Sequence, residues 1–138
     1  MTRQVRKMPA LTLIQKHWAS RLVEWGKFDS VKEVMEKPMD GETKQEGYCF
    51  ACGFAQSTLE RAHILSKQLG GEDAVENLHC LCYWCHKDSE SISGEEYWKW
   101  FHSRTVVDAA MSVAVRRAGM NAWSQFMELE RHGRHDEN

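Results

Sequence analysis

Apolar residues recur at three- and four-residue steps near the start of the chain: Leu11, Ile14, Trp18, Leu22 and Trp25. That period puts them on one face of a helix, so an amphipathic helix is predicted over residues 10–26, stopped by Gly26. A second, shorter helix is predicted from Ser30. There "SVKE" has the form of a capping box, with Glu33 reaching back to the helix start, and Pro38 closes it. Residues 39–47, "MDGETKQEG", are polar without an apolar period and read as a loop.

The helical period returns after residue 92. "SGEEYWKWFHS" predicts a helix beginning near Ser93, with Glu96 at the capping-box position. Tyr97, Trp98 and Phe101 at that spacing belong to the core rather than to a base-stacking platform. From Thr105 onward, Val106, Ala109, Ala110, Val113 and Ala114 mark one helical face. Arg116 and Arg117 before Gly119 resemble a helix end, and Asn121 can cap a further helix carrying Trp123, Phe126, Met127 and Leu129. One long kinked helix accommodates the same pattern equally well. "RHGRHDEN" reads as a frayed tail.

Between these helical regions the chain is punctuated by cysteines: "CFACGFAQSTLERAHILSKQLGGEDAVENLHCLCYWCHKDSE". A CxxC turn lets two thiolates reach one zinc ion from a tight knuckle. Cys49 and Cys52 form one such pair, followed by Gly53 where the backbone must turn, and Cys82 and Cys85 form the other. Two pairs complete a tetrahedral, structural Zn²⁺ site, one per chain. The 29 residues between them exceed a simple zinc ribbon, so the insert must carry structure of its own. Cys80 alternates with Cys82 on an expected strand and should point to the opposite face as a small core residue. Pairing Cys80 with Cys85 as ligands is the rival reading.

Composition narrows the setting. The chain has 138 residues, 42% hydrophobic and 28% charged, which fits one soluble globular domain. A net charge of -2 supplies no global field for nucleic acid, so any such surface must be a local basic patch. There is no membrane-spanning stretch, and the apolar run from Leu11 to Ile14 is too short for a signal-peptide core. The expectation is a cytoplasmic protein with no membrane partner. In that reducing compartment five cysteines favour metal over disulfides.

The ordered elements "LERAHI", "GG", "ENLHCLCYWCHKD" and the preceding CxxC resemble the HNH nucleases, in the subclass whose core is stapled by two CxxC zinc knuckles. The likeness covers about residues 48–102. It implies an α+β, helix-rich fold: a zinc-stapled ββα-metal core with flanking N- and C-terminal helices. The divisions expected are an N-terminal helical extension (1–45), the zinc-bound core (46–104) and C-terminal helices with a tail (105–138), in one compact domain overall.

By position, the resemblance assigns His63 to the first H, Asn77 to the N and His86 to the last H. The chemistry agrees. An imidazole exchanges protons near neutral pH, so His63 suits the general base. His86 can hold a catalytic divalent cation (Mg²⁺, Mn²⁺ or another transition metal) that acts as a Lewis acid on phosphate. Asn77 can pin the loop that orients His63, and Gly70 and Gly71 permit that loop's reversal. His86 directly follows a zinc ligand, so the zinc would position the helix that carries it.

Many family members have Asp or His immediately before the first H, as a second metal ligand. Here that residue is Ala62, which has no donor. Glu60, two residues away on the same strand face, is a replacement candidate, and His79 a weaker one. Arg61, Lys67, Lys87, Arg104, Arg116 and Arg117 are candidate phosphate contacts. The function implied is a metal-dependent DNA endonuclease that leaves 5′-phosphate and 3′-hydroxyl ends. The alternative is a catalytically silent zinc module that binds nucleic acid or a protein partner. The flanking helices are candidate docking surfaces for a protein partner or a homodimer.

Overall fold

The computed structural model describes residues 8–41 and 43–136, with side chains up to Glu130. Helix α1 (Leu11–Glu24) forms on the apolar period and buries Leu11, Ile14, Trp18, Ala19 and Leu22. Gly26 ends it in the left-handed region, φ 75°, which costs glycine little. In α2 (Val31–Met35) the Ser30 Oγ accepts the Glu33 N–H at 3.1 Å. The Glu33 carboxylate reaches back as expected, but to the Asp29 N–H, one residue beyond the box pattern. The loop that follows folds over Glu46, whose buried carboxylate accepts the N–H groups of Met39 and Gly41.

Strands β1 (Gly47–Tyr48) and β2 (Ala55–Gln56) pair around the first cysteine knuckle. Strands β3 (Glu60–His63) and β4 (Leu78–Leu81) pair antiparallel, with Glu60 opposite Leu81 and His63 opposite Leu78. Helix α3 (Tyr83–Ser89) follows two residues after β4. β3, β4 and α3 form a ββα unit, as the resemblance to the HNH nucleases implied.

The core beneath this unit is built by the flanking helices. Trp18 of α1 donates its indole N–H to the Leu78 carbonyl at 2.8 Å and to that of Val75 at 2.9 Å. Helix α4 (Glu95–Ser103) contributes Tyr97 and Phe101, both buried, and Trp98 packs half-buried against them. Its start differs from expectation. Gly94, φ 63°, is the N-cap, and the Ser93 Oγ instead accepts the Ser66 N–H at 2.9 Å. The serine that would have capped the helix tethers the loop after β3.

Helix α5 (Val106–Asp136) is continuous over 31 residues. Its start is a reciprocal box: Asp108 N–H donates to Thr105 Oγ1 and Thr105 N–H to Asp108 Oδ2. Of the two readings of this segment, the break at Gly119 with a restart at Asn121 does not occur and the single long helix does. A mid-helix glycine costs only about 1 kcal/mol, which the surrounding alanine, methionine and glutamate offset. The frayed-tail expectation is corrected as well, since the helix runs through Asp136; residues 137–138 lie outside the described residues.

Candidate functional site

The four knuckle cysteines converge. The Sγ atoms of Cys49, Cys52, Cys82 and Cys85 all lie within 4.8 Å of one another, and all four residues are buried. Cys52 and Cys82 sulfurs are 3.8 Å apart, close to the edge of a tetrahedron with Zn–S bonds of about 2.3 Å. The cluster therefore fits zinc. Burial drives the Cys49 thiol well above its ordinary pKa, while hydrogen bonds from Cys49 and then Cys52 pull Cys82 down. Gly53, φ 83°, closes the first knuckle, and its N–H donates to the Cys49 carbonyl. Cys82 is the N-cap of α3, and its sulfur accepts the Cys85 N–H at 3.4 Å. Cys80 is outside the cluster, fully buried, and burial pushes its thiol up to about 12.

Two cations from outside the cysteine region approach this cluster. Lys27 donates to the carbonyls of Ala51 (2.9 Å) and Arg104 (2.8 Å). Burial lowers its pKa, against the opposing pull of the Cys49, Cys85 and Cys52 sulfurs. Four thiolates around Zn²⁺ leave about two negative charges, which Lys27 and Arg104 partly offset.

A cleft of about 310 Å³ opens between β3 and α3, lined by Ala62, His63, Ser66, Lys67, His86 and Ser89, with Glu90 and Ile92 at its edge. Thus His63 and His86, 23 residues apart, face one space. Each imidazole meets a carboxylate. His63 Nε2 is 2.7 Å from Asp73 Oδ1, and His86 Nδ1 is 2.6 Å from Glu60 Oε1. Asp73 also accepts from Lys67 Nζ at 3.0 Å through its other oxygen. His86 stands on the second turn of α3, and its own N–H donates to the carbonyl of the ligand Cys82. The zinc knuckle thereby sets where His86 projects.

Asn77 lies behind the cleft. Its Oδ1 accepts the Leu65 N–H at 2.8 Å, and its Nδ2 donates to the carbonyls of Leu65 and Glu72 at 3.0 Å. These bonds clamp the β3–β4 connection that carries Asp73. Gly71 is needed beneath them, because a Cβ there would come within 1.8 Å of the Leu65 carbonyl oxygen.

Several expected contacts are placed elsewhere. Arg104 is corrected from phosphate contact to internal tie. It is 9% exposed, its guanidinium is 2.7 Å from Asp88, and it lies over the Trp100 ring. Asp88 also binds Ser112 and Arg116, so it fastens α5 to α3. Burial alone would raise the Asp88 pKa, but the Ser112 and Arg104 hydrogen bonds outweigh it and hold the carboxyl low. Arg61 donates to the Pro9 carbonyl, and Lys87 pairs with Glu90 at 3.2 Å. Arg117 is exposed. His79 is not a ligand candidate, because it is fully buried among Trp18, Phe50, Tyr97, Trp98 and Phe101.

Sequence reasoning missed Asp73. In "GGEDAVEN" it is one of three acidic residues in a polar loop, and only the fold distinguishes it. No helix among the described residues is long and apolar enough to cross a membrane. Among curated proteins and solved structures nothing matches the chain. Residues 48–91 match the family model described as HNH endonuclease; the cluster of Cys49, Cys52, Cys82 and Cys85 within that match is consistent with an HNH unit of the zinc-knuckle kind, a likeness that suggests a nuclease or nucleic-acid-binding function.

Proposed function

We propose that the cleft between β3 and α3 is the active centre of a metal-dependent DNA endonuclease. The observation that carries this is the pairing of both cleft histidines with carboxylates, His63 with Asp73 and His86 with Glu60. On His63 the carboxylate fixes the tautomer and leaves the other nitrogen for chemistry, whereas Glu60 Oε1 and His86 Nδ1 are two donor atoms that face each other closely enough to share one cation.

In this reading neutral His63 donates its Nε2–H to Asp73 Oδ1, so Nδ1 is the bare nitrogen that accepts a proton from the attacking water. Asn77 holds the connecting loop, and with it Asp73, in register behind the base. His86 and Glu60 are the residues that would hold a divalent cation, whose chemistry when bound would be to neutralise charge growing on the phosphate oxygens. Glu60 thus stands in for the donor that Ala62 lacks. Lys67, at the cleft wall and tied to Asp73, is placed to meet a phosphate of the DNA backbone.

Plasmid nicking by the purified chain with Mg²⁺ or Mn²⁺ tests the proposal. Wild type should cut. His63→Ala should lose about 10²–10⁴-fold in rate while keeping zinc, fold and DNA binding. Equal cutting by His63→Ala would overturn the mechanism.

The silent-module reading draws on one observation. Ala62 lines the cleft and is 2% exposed, so the position beside the base offers no ligand. DNA binding by wild type without nicking under any divalent ion would favour that reading.

A further inference from the structure

We propose that the projecting half of α5 pairs with α5 of a second copy of this chain, antiparallel, about a twofold axis at Trp123. In its first turns α5 faces the body, burying Ala109 and half-burying Ser112, Val113 and Arg116. From Arg117 to Glu130 every residue is exposed. Yet the apolar stripe does not stop. At 3.6 residues per turn, Gly119, Met120, Trp123, Phe126 and Met127 continue it within an arc of about 120°. Met120 is 72% exposed, Trp123 64%, Phe126 51% and Met127 42%. Trp123 and Phe126 stack on each other with ring centroids 6.0 Å apart. A stripe this apolar on a free helix marks an interaction surface.

The pattern is symmetric about Trp123, and that identifies the occupant. Arg116 and Glu130 stand seven residues to either side, on the same stripe and of opposite sign. Gly119 and Met127 are each four residues away, Met120 and Phe126 each three. Reversing the helix onto itself sets Arg116 against the second copy's Glu130, Met120 against Phe126, and Met127 over the bare backbone of Gly119. Such a surface is self-complementary, which is what a twofold interface requires. The receiving groove exists. Tyr83, Trp84, Arg116, Gly119, Met120 and Trp123 line an apolar hollow of about 510 Å³ beside α3. The acidic Glu130 at the far end of the stripe argues against nucleic acid as the occupant.

This inference does not depend on the nuclease reading, and its readout is oligomeric state. Sedimentation equilibrium of the full chain at micromolar concentration should give a dimer. Trp123→Glu should give a monomer with unchanged helix content and zinc. Met120→Cys and Phe126→Cys variants, mixed and oxidised, should form a disulfide-linked heterodimer that neither forms alone. The native thiols do not compete, since four lie in the metal cluster and Cys80 is buried. A monomeric wild type, a dimer that survives Trp123→Glu, or efficient self-linking of Phe126→Cys (a parallel pair) would each overturn it.

Discussion

Asp73 Oδ1 lies 2.7 Å from His63 Nε2, and the same carboxylate binds Lys67 through its other oxygen at 3.0 Å. Asp73 comes ten positions after His63, and the Asn77 clamp is what returns the loop to the strand end. If Asp73 positions the base, Asp73→Asn should lower kcat by about 10- to 100-fold, the range typical of an orienting partner. KM for DNA should barely change, and added divalent metal should not restore the rate. A loss that raised metal fully repairs would place Asp73 on the metal instead.

The contact between Glu60 and His86 makes the opposite prediction. Glu60→Ala should raise the concentration of Mg²⁺ or Mn²⁺ needed for half-maximal nicking by about 10-fold or more, with much of the rate recovered at saturation. Ala62→Asp restores a donor beside the base and should lower that requirement. Metal titrations of nicking rate on the three proteins check both. An unchanged titration curve for Glu60→Ala would remove Glu60 from the site.

One zinc per chain is expected, held by Cys49, Cys52, Cys82 and Cys85. Binding energy of a structural zinc, on the order of 10 kcal/mol in small domains, is folding energy. Cys52→Ser or Cys85→Ser should therefore lose the metal and the cooperative unfolding transition together, as elemental analysis and thermal melts would show. His86 depends on the Cys82 N-cap, so nicking should vanish with the zinc. A folded, metal-free wild type of undiminished stability contradicts this.

His79 predicts an acid sensitivity. Tyr97, whose pKa burial raises, keeps its proton and donates to His79 Nδ1 at 2.6 Å. The ring sits in an aromatic cage, and its Nε2 has no hydrogen-bond partner among the described residues. Burial first, then the nearby His102 and Lys27, lowers its pKa from 6.5 to about 3. Between those values the unfolded chain binds a proton and the folded one does not, so stability falls as pH falls through this window. The slope is about 1.4 kcal/mol per pH unit. Denaturant midpoints between pH 7 and pH 5 should fall more steeply for wild type than for His79→Gln. The variant shares the acid response of the zinc site, so the difference isolates His79.

Local rules account for what could be read early. Helix α1 is a period of apolar residues, the knuckles are CxxC spacing, and α2 begins where a serine can cap it. His63, Asn77 and His86 were legible because they stand in fixed order around the second knuckle. Asp73 was not, because its partner is set by where the loop after β3 returns. Arg104 could be read only as a surface cation. Its burial follows from α5 packing over α3, a contact that no local pattern encodes.

The sequence by itself determined helices α1 and α2 and the cysteine cluster that fits zinc. Helical period, capping residues and thiol spacing act over a few bonds, so they survive without a fold. Tertiary structure decided which polar groups face which. It drew Glu60 onto His86, Asp73 onto His63 and Asp88 onto Arg104, and it enclosed His79 in rings from α1, α4 and the first knuckle. It also let Gly119 pass inside a continuous α5. Charge pairing depends on distances of about 3 Å between groups far apart in the chain, and only packing of the helices on the ββα unit sets those distances.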